Sequence, residues 1–319
     1  MEPILAETSN RYVLYPIVWT TVWNEYKRHQ QAFWTAEEID FSADTSDWEK
    51  LTDDERFFIS NILSFFAGSD GIIFENLSIN FIEEIKVPEI RAYYGWQAAM
   101  ETIHSETYAL MIDTYIGNQE EKLRLLNGIK EVPGVKKKAD WAKKWLNSDI
   151  PFAKRLVAFT IVEGLFFAGS FCAIFWLKYV KGLMTKALGK SNELIARDES
   201  LHADFGVLLY TYIVNRLSVD EINEMFTTAV DIEKEFICES FSCDLIGMNA
   251  NSMKTYIEFQ ADRLIQKLGY PKIYDVTCPF EFMDTMSLDG KSNFFEQRVT
   301  DYNRPEQIVD KELEILDDF

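Results

Sequence analysis

Two Glu-x-x-His pairs, Glu101 with His104 and Glu199 with His202, are the residues of this chain best suited by type and spacing to do chemistry. Residues three apart on an α-helix share a face, so each pair presents a carboxylate and an imidazole to one point in space. Of the three histidines in the sequence, two complete this spacing, which makes coincidence a poor explanation. The third, His29, reads as a surface residue.

Two isolated acids extend the pattern. Glu163 interrupts the apolar run Leu156 to Leu177, where an uncompensated charge would cost several kcal/mol. Asp70 sits likewise among Phe65, Phe66, Ile72 and Ile73. Read in order, acid Asp70, pair Glu101/His104, acid Glu163 and pair Glu199/His202 form a twofold repeat, the donor set of a dinuclear carboxylate site in an antiparallel four-helix core. Hard carboxylate oxygens with one imidazole per ion suit iron first and manganese second, and suit zinc poorly. The competing reading pairs Glu163 with a buried arginine and makes the histidines ordinary core residues. Tyr108 follows His104 by four residues and shares its face, within reach of an oxidising centre, although a tyrosine packed in a core has the same spacing. Phe167, Phe171 and Ile195 recur at helical spacing beside the acids and would form a dry wall.

These side chains need long helices to carry them. Thr52 with Glu55 and Ser218 with Glu221 match capping boxes, which satisfy free N–H groups where a helix starts. From Thr52 the apolar positions Phe58, Ile62, Phe65, Phe66, Ile73 and Phe81 keep helical spacing until Pro88 redirects the chain. Further helices are predicted over Glu89 to Ile116, Pro151 to Leu188, Ser191 to Leu217, Ser218 to about Cys243, and Met253 to Leu268. Gly117 to Lys138 reads as a short helix and a connecting loop, on the strength of Gly128, Pro133 and Gly134. Past Gly269 the pattern weakens. Arg304 to Phe319 is acidic with scattered apolar residues, which predicts a mobile tail.

With 319 residues, 47% of them hydrophobic, the chain can bury a large core. Its formal charge of −20 leaves direct nucleic-acid binding without electrostatic support. Leu156 to Leu177 is long enough to span a membrane, yet a core helix explains it better and no membrane association is expected. Cys172, Cys238, Cys243 and Cys278 lack metal-type spacing, and the first ten residues lack a secretory pattern, so a cytoplasmic protein with free thiols is expected.

The sequence closely resembles the small, radical-generating subunit of class I ribonucleotide reductase, in its eukaryotic and poxviral form. The resemblance rests on Phe33-Trp34 before Glu37-Glu38, on Ser64 through Gly71, on Glu101-Thr-Ile-His104-Ser-Glu-Thr-Tyr108, on Glu163 through Phe167, on Arg197-Asp198-Glu199-Ser-Leu-His202, and on Asn293 through Arg298. It implies an all-α, ferritin-like bundle over 1–303 and a tail over 304–319. It also implies two iron ions per chain, joined by an oxo group when oxidised. Asp70, Glu101 and His104 would hold one ion and Glu163, Glu199 and His202 the other, with Glu101 and Glu199 bridging. By the same resemblance Tyr108 carries the radical, Trp34 and Asp198 link the metal site to the surface through His104, and Tyr302 passes the radical onward. Leu313, Leu316 and Phe319 would dock on the large subunit, and the chain would form a homodimer. Two rivals keep part of this pattern: a di-iron oxidase or desaturase would not need Tyr108, Trp34 and the tail together, and a ferritin-like iron store would load far more than two ions.

Overall fold

Apolar residues at helical spacing, several runs of them started by caps, account for the helical architecture of the described residues. The computed structural model describes residues 2–76, 81–128, 132–240 and 243–283, and among these there is no β-strand. The fold set out below belongs to the compact unit that ends at Phe280.

Among the described residues, ten helices of eight residues or more carry the structure: α1 (Thr20–Gln31), α2 (Asp53–Asn76), α3 (Pro88–Tyr115), α4 (Gln119–Leu126), α5 (Pro133–Leu146), α6 (Phe152–Leu165), α7 (Ala168–Phe175), α8 (Leu188–Tyr210), α9 (Val219–Lys234) and α10 (Ala250–Lys267). Both predicted capping boxes form. The Thr52 N–H donates to Glu55, whose own N–H donates to the Thr52 hydroxyl, and Ser218 and Glu221 do the same. Pro88 sits in the first turn of α3, where its missing N–H costs nothing.

The four helices that bear the predicted donors pack as two pairs, α2 against α3 and α6 against α8, and α8 also touches α3. Gly206 lets α8 approach α6 closely, since a Cβ there would lie 2.2 Å from the Thr160 hydroxyl oxygen. The apolar segment Phe152–Lys181 is 94% buried in its most apolar window. Its apolarity therefore faces protein, as a core helix requires.

Three boundaries differ from expectation. Pro133 starts α5 instead of ending a loop, because proline at the first helical position is favourable. α8 stops at Tyr210, short of Leu217. The single helix expected over Pro151 to Leu188 is broken at Phe166-Phe167 and ends in a wider π-type turn over Trp176–Lys181.

Two buried charges hold the break. The Lys138 ammonium donates to the Phe166 carbonyl at 2.6 Å and pairs with Glu233, which in turn accepts the Gly169 N–H at 3.0 Å. Burial pushes the lysine down to about 8 and raises the Glu233 carboxyl. Lys138→Met should therefore destabilise the fold by about 3–5 kcal/mol by leaving Glu233 buried without its partner. In urea denaturation, Lys138→Met combined with Glu233→Leu should recover most of that loss. A single variant as stable as the parent protein would show that the pair does not hold the break.

Candidate metal centre

The predicted donors converge although they come from three separate helices. One ligand atom from each of Glu101 (α3), Glu163 (α6), Glu199 and His202 (α8) lies within 4.8 Å of the others, and all four residues are buried. Nδ1 of His202 is 3.0 Å from Glu101, 3.4 Å from Glu163 and 3.2 Å from Glu199. Nδ1 of His104 is 3.1 Å from Glu199 and 3.4 Å from Glu101. Both imidazoles thus turn the same nitrogen inward. Asp70 lies on α2, the partner helix of α3, and its side chain is outside the described residues.

Three carboxylates this close, with no lysine or arginine among them, repel one another and lose hydration. Burial, then the charges of Glu199 and Glu101, pushes the Glu163 carboxyl well above the usual range. Burial would also raise Glu199, but its close contacts with Glu163, His104 and His202 outweigh it and hold its carboxyl well below that range. Burial alone would lower His202; the surrounding Glu101, Glu163 and Glu199 override it and raise the imidazole. Oε2 of Glu101, Oε2 of Glu163 and Nδ1 of His104 are buried and make no hydrogen bond. Such atoms are costly without a partner, and hard oxygens with imidazole nitrogens are what a divalent first-row cation takes. The residues fit a metal, and the buried-arginine alternative for Glu163 falls, because its hydrogen-bond donor is Gln97 at 3.0 Å.

The remaining predicted residues cluster round His104. Its Nε2 lies 3.2 Å from Asp198 Oδ2, the oxygen to which the Trp34 indole N–H donates at 2.7 Å. Arg197 donates to the other oxygen of Asp198 at 2.8 and 3.0 Å. Burial would raise the Asp198 carboxyl; the Arg197 charge and His104 outweigh it and hold it well below the usual range. The Trp34 and His104 rings stack 5.9 Å apart at 20°.

Tyr108 is only 3% exposed and stacks on Phe66 with ring centres 4.6 Å apart. Phe66 stacks in turn on Phe167 and Phe171, and Phe167, Phe171 and Ile195 are all buried. Tyr302, Leu313, Leu316 and Phe319 lie outside the described residues.

Two neighbours escaped the sequence reading. Gln97, one turn before Glu101, donates to Glu163 and, at 3.4 Å, to Glu101; its position four residues from a donor was the available signal. His29, read above as a surface residue, is fully buried, with Nε2 3.2 Å from Nε2 of His202. Nothing local marks it, because only the packing of α1 on α3 and α8 takes it inside.

Fold and site together define a ferritin-like helical bundle with a carboxylate–histidine metal site in its core. The family pattern described as "Ribonucleotide reductase, small chain" matches residues 11–279. The chain is 54% identical over 304 residues to the ribonucleoside-diphosphate reductase small chain of Trypanosoma brucei brucei, covering 95% of this chain and 90% of that one. Against the small chain of Vaccinia virus (strain Western Reserve), identity is 52% over 304 residues, with 95% of each covered. The solved Rnr4 homodimer of ribonucleotide reductase from Saccharomyces cerevisiae superposes with a TM-score of 0.82 at 38% identity, covering 95% of this chain and 93% of that one. The chain belongs to the ribonucleotide reductase small-chain family. It is the small subunit of a ribonucleoside-diphosphate reductase, which works with a large subunit.

Proposed function

We propose that this subunit holds two iron ions in its core, uses them with oxygen to oxidise Tyr108, and stores that radical for the large subunit, which reduces ribonucleotides to deoxyribonucleotides. Asp70, Glu101 and His104 would hold one ion, and Glu163, Glu199 and His202 the other. The observation that carries this reading is the convergence of Glu101, Glu163, Glu199 and His202, with carboxylate oxygens that make no hydrogen bond, and a buried Tyr108 one turn along α3 from His104. The donor chemistry favours iron, with manganese the second choice.

When bound, iron would supply electrons to oxygen and the oxidising power that takes one electron, and with it the phenolic proton, from Tyr108. The chain does the rest. Asp198, kept ionised by Arg197, accepts a hydrogen bond from the Nε2–H of His104 and so leaves the Nδ1 lone pair free to bind a cation. The same Asp198 oxygen accepts the Trp34 N–H, so one hydrogen-bonded path joins the metal site to the indole. Tyr302 continues that path to the partner. Phe66, Phe167 and Phe171 keep water from the Tyr108 ring and lengthen the life of its radical.

The metal-bearing domain would run over 1–303, and 304–319 would be the segment that docks on the large subunit through Leu313, Leu316 and Phe319. Two copies form the working subunit, as in the yeast Rnr4 homodimer. None of the four cysteines is in a disulfide, in keeping with a cytoplasmic protein.

Electron paramagnetic resonance after anaerobic iron loading and exposure to oxygen tests this reading. A tyrosyl signal with about two irons per chain is expected, and its absence at full iron loading would remove the radical role. Deleting Leu313 to Phe319 should abolish ribonucleotide reduction with the large subunit and leave that signal intact. Loss of the signal as well would contradict a pure docking role.

A further inference from the structure

His202 and His104 occupy matching places in the cluster, but their outward nitrogens meet different partners. Nε2 of His104 faces the carboxylate Asp198, whereas Nε2 of His202 faces another imidazole, His29. The His29 and His202 rings meet nearly edge-on at 64°, with centres 4.8 Å apart, and both residues are buried. Tyr93 also packs against His29, with ring centres 5.3 Å apart, but its hydroxyl donates to the Leu201 carbonyl at 3.0 Å. His29 Nδ1 is buried and makes no hydrogen bond. His202 is thus the only polar side chain to which His29 is hydrogen-bonded among the described residues.

Proton bookkeeping gives this contact a direction. Two imidazole nitrogens 3.2 Å apart form a hydrogen bond only if one carries the proton and the other a lone pair. With Nδ1 of His202 turned to Glu101, Glu163 and Glu199, a cation there needs the Nδ1 lone pair and sends the imidazole proton to Nε2. That N–H lies in a dry interior and needs an acceptor, and Nε2 of His29 is the atom in reach.

We propose that His29 is a positioning residue of the metal centre, the neutral hydrogen-bond acceptor that fixes His202 in its metal-binding tautomer. It does for His202 what Asp198 does for His104. Being neutral, it adds no negative charge to a cluster already holding three carboxylates. The inference rests on the metal-site reading above and assigns His29 no contact with the ion itself.

Anaerobic Fe(II) titration of the full chain, with release to a chelator, tests it by affinity instead of turnover. The parent protein should take two ions. His29→Leu, similar in volume and without an acceptor, should weaken one of the two by roughly 10–100-fold, the range for lost outer partners of metal ligands. His29→Gln offers a carbonyl oxygen and should recover most of that affinity. The thermal midpoints of the two metal-free variants should be alike, which separates positioning from packing. Should His29→Leu fail to fold, His29→Met against His29→Gln gives the same comparison. Equal affinity in the acceptor-free and Gln variants overturns the proposal. A parent protein that takes up no metal overturns the metal-site reading, and this inference with it.

Discussion

Tyr108→Phe should keep its metal and its fold while losing the stored radical and, with the large subunit, nearly all ribonucleotide reduction. The ring is buried and stacked on Phe66 at 19°, a contact that phenylalanine reproduces. Only the hydroxyl is lost, at a stability cost of about 1 kcal/mol. The metal donors sit on other residues, so iron content after loading should match that of the parent protein. Turnover should fall on the order of 1,000-fold or more, equivalent to about 4 kcal/mol in the barrier, because the proposed mechanism stores the oxidising equivalent on the Tyr108 phenol. Iron content, the electron paramagnetic resonance spectrum and turnover, measured on one preparation, check the three claims together. An unchanged tyrosyl signal in Tyr108→Phe would move the radical to another residue and withdraw Tyr108 from the mechanism.

The site was legible in the sequence wherever spacing along one helix decides geometry. Glu101 and His104 are three apart, as are Glu199 and His202, and helical periodicity alone turns each pair to one side. Glu163 was legible for a different reason, as a carboxylate inside an apolar run that needs a buried cation or a donor. The structure adds what sequence periodicity cannot carry. His29 belongs to α1, a helix whose other buried residue is Val22, so its sequence looks like a solvated face until α3 and α8 cover it.

The break at Phe166-Phe167 was hidden for the opposite reason. Residues on both sides are apolar and buried, so the hydrophobic pattern runs through it without interruption. Its cause lies in Lys138 and Glu233, which are distant in sequence and take up the Phe166 carbonyl and the Gly169 N–H. Proline misled at α5 because the same residue that stops a helix from within favours its first turn.

Glu163→Gln should make the metal-free protein more stable and the metal-loaded protein less stable than the parent. In the metal-free state the Glu163 carboxyl is raised by burial and then by the neighbouring charges of Glu199 and Glu101, which means folding disfavours its ionised form. The amide removes that charge, and its carbonyl oxygen can still accept from Gln97, so the hydrogen bond of 3.0 Å survives. A gain of about 1–3 kcal/mol is expected, the scale on which burying a poorly compensated polar group costs stability. With a metal present the order reverses. An amide is a weaker ligand than a carboxylate, and stabilisation by a bound ion grows with its affinity, about 2.7 kcal/mol at 100 times the dissociation constant. Thermal midpoints of the two proteins, measured anaerobically with and without Fe(II), should therefore cross. If Glu163→Gln is the less stable protein without metal, the carboxylate serves packing. If it gains as much from Fe(II) as the parent does, Glu163 is no ligand.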